Sequence, residues 1–160
     1  MKALARTLVL GTMLAAALGA VVASAQSSDL SLGTWVLNVA KSTYSQGAAP
    51  KSSTRTYTAA PNGYTFLSKG VDADGKATTV QFTIAFDGKY HVMTGSATVD
   101  SIMVKRIDAN NFESTQTKAG KVVIRTKRVI SKDGKTLTGT TTGTNAAGKA
   151  YTNVEVYDKR

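Results

Sequence analysis

Residues 74–89 read DGKATTVQFTIAFDGK. Between two Asp-Gly-Lys triplets lies TVQFTIAF, 79–86, in which Val80, Phe82, Ile84 and Phe86 share one side and Gln81, Thr83 and Ala85 the other. Strict alternation of apolar and polar side chains is the signature of a half-buried β-strand. Asp-Gly on both flanks supplies residues that tolerate positive φ, which tight hairpins require. The segment therefore predicts one strand of an antiparallel sheet, entered and left through tight turns.

The same punctuation runs along the rest of the chain. PNG occupies 61–63, DANN 108–111, KAGK 118–121, SKDGK 131–135 and NAAGK 145–149. The intervening segments are rich in Thr, Val, Ile, Tyr and Phe, and GTWVLNV sets Trp35, Leu37 and Val39 together. Strands are predicted at 33–39, 54–60, 64–69, 78–86, 89–93, 101–107, 112–117, 121–130, 136–142 and 151–157, with no amphipathic helical pattern beyond the N-terminal leader. Short strands at this spacing indicate an all-β sandwich or barrel. Nearly every link is hairpin-length, which favours an up-and-down meander, and a meander of this length protects its edges by closing on itself. The expected fold is a single antiparallel up-and-down β-barrel of about eight to ten strands. One link departs from the pattern: AKSTYSQGAAPKSS, 40–53, is long and polar, and reads either as a lid or as a surface insertion. DADG at 72–75 lacks the further oxygen ligands and closing Glu of a calcium loop.

The first 25 residues stand apart. Lys2 and Arg6 precede an apolar run from Leu8 to about Val22, followed by Ala23-Ser24-Ala25. This is the plan of a secretory signal peptide with cleavage after Ala25, the run being short for a spanning helix. The expectation is one 135-residue domain, Gln26–Arg160, with no membrane span in its mature form. Without the leader, 18 basic side chains face 10 acidic ones, a formal net charge of +8. The chain has no cysteine, so neither disulfides nor a lipid-bearing cysteine is available. A periplasmic or secreted bacterial protein, folded by its core alone and monomeric, is the expectation.

Parts for chemistry are few. His91 in KYHVM is the sole histidine, and with no cysteine a metal centre of the usual His and Cys ligands is not expected. Glu113 and Glu155 are the only glutamates, and neither a Gly-x-Ser-x-Gly elbow nor a phosphate- or dinucleotide-binding fingerprint occurs. The reading is of a non-enzyme without cofactor. The positive charge raises acidic partners. Export argues against nucleic acid and leaves a weak attraction to the anionic cell envelope. The densest run, KVVIRTKR at 121–128, divides by alternation into Arg125 and Lys127 on one face and Arg128 on the other, the face of Val122, Ile124, Thr126 and Ile130.

Gly33-Thr34-Trp35, opening the first strand, resembles the motif of the calycin superfamily, lipocalins above all. The wording of 33–45, 71–76, 105–113 and 128–159 is similar to a group of exported bacterial lipocalin-like proteins, nearly the whole of the mature chain. The resemblance implies that Trp35 plugs the closed end of the barrel behind Gly33, with a basic side chain from a late strand crossing it. Arg128 is the candidate for that side chain. Small barrels either fill with side chains or hold one ligand. On the second reading Tyr57, Phe66, Phe82 and Phe86 face inward as ligand contacts. Arg106 would anchor a carboxylate or phosphate if SIMVKRI is read with it inward. Two functions remain open: a binding protein for a small apolar or amphipathic molecule, and an envelope-associated structural or interaction module with a filled core.

Overall fold

The computed structural model describes residues 29–145 and 147–160. The leader and the cleavage point after Ala25 lie outside the described residues. Eleven strands follow in chain order: β1 (Gly33–Leu37), β2 (Thr43–Tyr44), β3 (Ser52–Ala60), β4 (Gly63–Val71), β5 (Ala77–Ala85), β6 (His91–Val92), β7 (Ser101–Arg106), β8 (Asn111–Lys118), β9 (Lys121–Ile130), β10 (Thr136–Thr144) and β11 (Ala150–Lys159). One three-residue 3-10 turn, Val39–Lys41, separates β1 from β2. All pairings are antiparallel, in the order β5-β4-β3-β1-β11-β10-β9-β8-β7-β6. The first strand thus sits between the last and the third, rolling the meander into an up-and-down barrel. Closure is nearly complete: β5 meets the β6 side through one isolated bridge, Gln81 to Thr94.

Pairing register explains which side chains enter the barrel. Trp35 opposes Arg55, Tyr57 opposes Phe66, and Phe66 opposes Phe82, so these share the inner face. Val80, Phe82 and Ile84 point inward from β5 as alternation dictates. On β9, Ile124, Thr126, Arg128 and Ile130 point inward. Val122 does not, because the register shifts at Gln116/Thr117 so that Thr117 pairs with Val122 and Val123 is the extra residue. A bulge of one residue exchanges the two faces beyond it, and Val122 is left exposed. Val39 leaves the Trp35–Leu37 face because the strand ends at Leu37 and the chain enters the 3-10 turn.

One end of the barrel is packed solid. Trp35, Tyr64, Ile84, Val104, Ile130, Leu137 and Tyr157 are essentially inaccessible to water. Residues 29–32 cross this end: Leu30 packs near Gly134, and the carbonyl of Ser31 accepts the Trp35 Nε1 hydrogen at 3.0 Å. The cation over the indole is Lys159, not Arg128. Its Nζ lies 5.0 Å from the ring centroid and donates to the Leu30 carbonyl at 2.9 Å. Lys159 ends β11, whose pairing sets it directly opposite Trp35, whereas Arg128 enters the barrel lower on β9. Gly33 has φ +113°, and a β-carbon there would meet the Lys159 stem at 3.3 Å. Glycine therefore serves both the backbone conformation and the lysine's path.

The long link does not hang free. Thr43 and Tyr44 pair with Val154 and Asn153, extending along β11 the place β1 leaves at Leu37. Ser45 and Gln46 then bond to residues 150–153. Among the described residues no helix is long and apolar enough to cross a membrane.

Candidate functional site: a lumen with two arginines

Toward the other end the interior opens into a cavity of about 310 Å³. Its existence follows from small side chains at inward positions. β8 contributes Ser114, β9 Thr126, and β10 carries Gly139, Thr141 and Gly143 on the inner face, where larger residues would close the barrel. Gly143 has a specific tenant: a β-carbon there would lie 2.7 Å from the Tyr151 hydroxyl, so the missing side chain is the space Tyr151 occupies at the cavity wall.

The lining falls into two regions. The apolar wall is Tyr57, Phe66, Val80, Phe82, Met93, Val99, Ile102 and Ile124. Phe66 and Phe82 stack with centroids 4.7 Å apart, and Tyr57 tilts onto Phe66 at 5.1 Å, geometries that add about 0.5–1.5 kcal/mol per pair beyond burial. Met93 and Val99 come from the segment that bridges the seam between β5 and β7. The polar tier holds Ser68, Ser114, Gln116, Thr126, Thr141, Asn153 and three charges, Arg55, Arg128 and Glu155.

These charges are unequally matched. Arg55 Nη2 donates to Glu155 Oε2 at 2.7 Å, and its guanidinium lies 4.2 Å from the Tyr157 ring centroid. Tyr44, reaching in from β2, donates to Glu155 Oε1 at 3.2 Å. Burial pushes the Tyr44 hydroxyl well above its ordinary pKa, and Glu155 adds to that rise, so it stays protonated and able to donate. Arg128 donates instead to two phenols, Tyr57 at 3.0 Å and Tyr64 at 2.9 Å. Among the described residues no carboxylate stands within ion-pair distance of Arg128. Its Nε, like that of Arg55, is buried without an acceptor. Burial also raises the Tyr64 pKa, the neighbouring Arg128 opposing it. Guanidinium keeps its proton in proteins, so two cations and one anion leave the lumen with one positive charge.

Of the ligand contacts expected from sequence, Tyr57, Phe66 and Phe82 line the lumen. Phe86 and Arg106 do not, and the expectation for them is corrected. Phe86 follows β5 and packs between Tyr64 and Phe112, with centroids at 5.5 and 6.1 Å, in the floor of the closed end. Arg106 shares the inward parity of Ile102 and Val104. It ends β7 at the rim, however, where its Nη1 meets Asp29 Oδ2 at 2.8 Å and its guanidinium covers Phe112. The inward arginines are Arg55 and Arg128. Arg55 was legible as the alternation partner of Tyr57 two residues on. Glu155 was not: on β11 the polar Asn153 and Glu155 face inward while Val154 and Val156 face outward, the reverse of a dry core. His91 pairs with Asp87 at 2.9 Å and takes no part in the lining. No cluster of three His, Cys, Asp or Glu residues suited to a metal ion occurs among the described residues.

No protein-family model matches the chain, and no curated protein sequence matches it. Among solved structures, the barrel is similar to zebrafish ileal bile acid-binding protein crystallised with cholic acid. The TM-score is 0.50 at 13% identity, covering 82% of this chain and 99% of that one. At that identity the likeness speaks for the fold alone: an all-β, nearly closed antiparallel up-and-down barrel.

Proposed function

We propose that this protein binds one small amphipathic molecule reversibly inside the barrel, its apolar part on the Phe66–Phe82 wall and its polar end in the tier around Arg128. The single observation that carries this reading is the lumen itself: about 310 Å³ of space, apolar on one side, with convergent buried polar groups on the other. Ligand sites have that composition, and the volume lies at the small end of their range. A structural module with a filled core needs no such space and no buried arginine lacking an acid. That the similar barrel was crystallised with cholic acid supports a small amphipathic ligand for this one.

The reading is of a binder rather than a catalyst: His91 is held by Asp87, and the lumen's charged groups Arg55, Glu155 and Arg128 are engaged with one another or with tyrosine hydroxyls. The leader and the cysteine-free domain support export to the periplasm or beyond, and the surplus of lysines supports a weak attraction to an anionic envelope. Native mass spectrometry of the protein expressed with its own leader tests the proposal. A bound small molecule, lost in Ser114→Phe, which fills the lumen, is the expected result. Equal retention of that molecule by Ser114→Phe would place binding elsewhere and overturn it.

A further inference from the structure

We infer that the lumen selects a compact molecule carrying a single negative charge, and that Glu155 sets that number. The inference rests on the lumen being the binding site. Two guanidinium groups reach the cavity, yet only one is open to a ligand's acid. Arg55 is held by Glu155 at 2.7 Å, while Arg128 has phenols for partners and no carboxylate. A buried charge without a counter-charge is costly. A monoanion entering the lumen relieves that cost and leaves the interior neutral. A neutral ligand leaves it unrelieved, and a dianion replaces one excess charge by another of opposite sign, beside Glu155.

Size follows from the same cavity. A cavity of about 310 Å³ lies at the small end of ligand sites, which suits a compact one- or two-ring acid. The stacked Phe66–Phe82 pair offers such a ring an aromatic face.

The test is calorimetric titration with three molecules of one shape: 2-naphthoate, neutral 2-naphthamide and naphthalene-2,6-dicarboxylate. Wild-type protein is expected to bind the monoanion at least about tenfold more tightly than either of the others, a difference of about 1.4 kcal/mol. Glu155→Gln frees Arg55, and the dianion is then expected to gain at least about tenfold relative to the monoanion. Pairing Arg55→Met with Glu155→Gln restores one excess charge and, with it, the monoanion preference. Equal binding of naphthoate and naphthamide by wild type would overturn the charge rule while leaving a lumenal binder intact. An unchanged dianion affinity in a folded Glu155→Gln protein would remove Glu155 from the account. Failure of all three to bind would overturn the lumenal site and this inference together. The wild-type comparison decides the charge rule even where a variant does not fold.

Discussion

Removing the indole at the closed end tests how the barrel is held. Trp35 is wholly buried, its N–H bonds to Ser31, and Lys159 lies over its face. Trp35→Ala leaves a large cavity, and truncations of this kind cost about 3–5 kcal/mol. For a domain of this size each kcal/mol lowers Tm by roughly 3–5 °C, so a fall of the order of 10–20 °C is expected. The lysine's share is smaller and separable. Lys159→Met keeps most of the aliphatic stem but loses the cation over the ring, about 0.5–1 kcal/mol, and the charge-assisted bond to the Leu30 carbonyl, about 1.5–3 kcal/mol. In the double variant the cation–π part is lost only once, so the cycle should show a coupling of about 0.5–1 kcal/mol. Urea denaturation followed by circular dichroism reads all four proteins without depending on the deleted chromophore. A Trp35→Ala loss below about 1 kcal/mol, strict additivity with Lys159→Met, or the emission of a water-exposed indole in wild type would each refute this closure.

Further outcomes follow from other parts of the barrel. Breaking the inner ion pair from one side, by Arg55→Met or Glu155→Gln, should cost more than removing both partners, because each single change strands a buried charge; urea midpoints of the three variants check this. Gly143→Ala should destabilise by about 1–3 kcal/mol through overpacking, since its new methyl would meet the Tyr151 hydroxyl at 2.7 Å and the Val123 carbonyl at 2.9 Å; Tyr151→Phe, made together with it, should recover little because the ring carbon is as close. Asp29 has its pKa lowered: burial works to raise it, but the bonds from Ser31 and the Arg106 charge prevail. A lowered carboxylate contributes stability above its unfolded pKa of about 4 and loses it as pH falls through the folded value. Asp29→Asn should therefore flatten the loss of urea resistance as pH falls below about 4, and an unchanged slope would remove Asp29 from the acid response. Burial raises Tyr64, so its contribution is present below about pH 10 and disappears as pH rises past that value; a Tyr64→Phe protein should resist alkali better than wild type.

The strand plan was readable because turn chemistry and alternation agree along the chain, and ten predicted strands correspond to ten of those present. What sequence hid has identifiable physical causes. The bulge at Gln116/Thr117 reverses Val122, and a one-residue insertion leaves no trace in local composition. The two-residue β2 exists only because β11 outlasts β1, a fact about strand lengths in space. The lumen was the least legible part. Inward valines and outward polar residues are the usual rule, but β11 inverts it around Glu155, and the run of threonines and glycines in β10 gives no sign that its inner face bounds a cavity. Arg106 and Arg128 both occupy inward parity. Which one enters the lumen is decided by position along the strand, since the end of β7 lies at the rim beside Asp29.

The central claim is that a small acid sits inside the barrel. The most direct measurement is a two-dimensional NMR titration of the isotopically labelled protein with 2-naphthoate, following backbone and methyl resonances. The outer sheet face offers an internal contrast, because Thr54, Thr56, Leu67 and Lys69 border a separate surface groove on β3 and β4. The account predicts saturable shifts at inward positions, Phe66, Phe82, Ser114, Ile124 and Thr126, with Thr56 and Leu67 unmoved beyond through-strand effects. Shifts confined to the outer groove, or spread over the surface lysines without saturation, would contradict it.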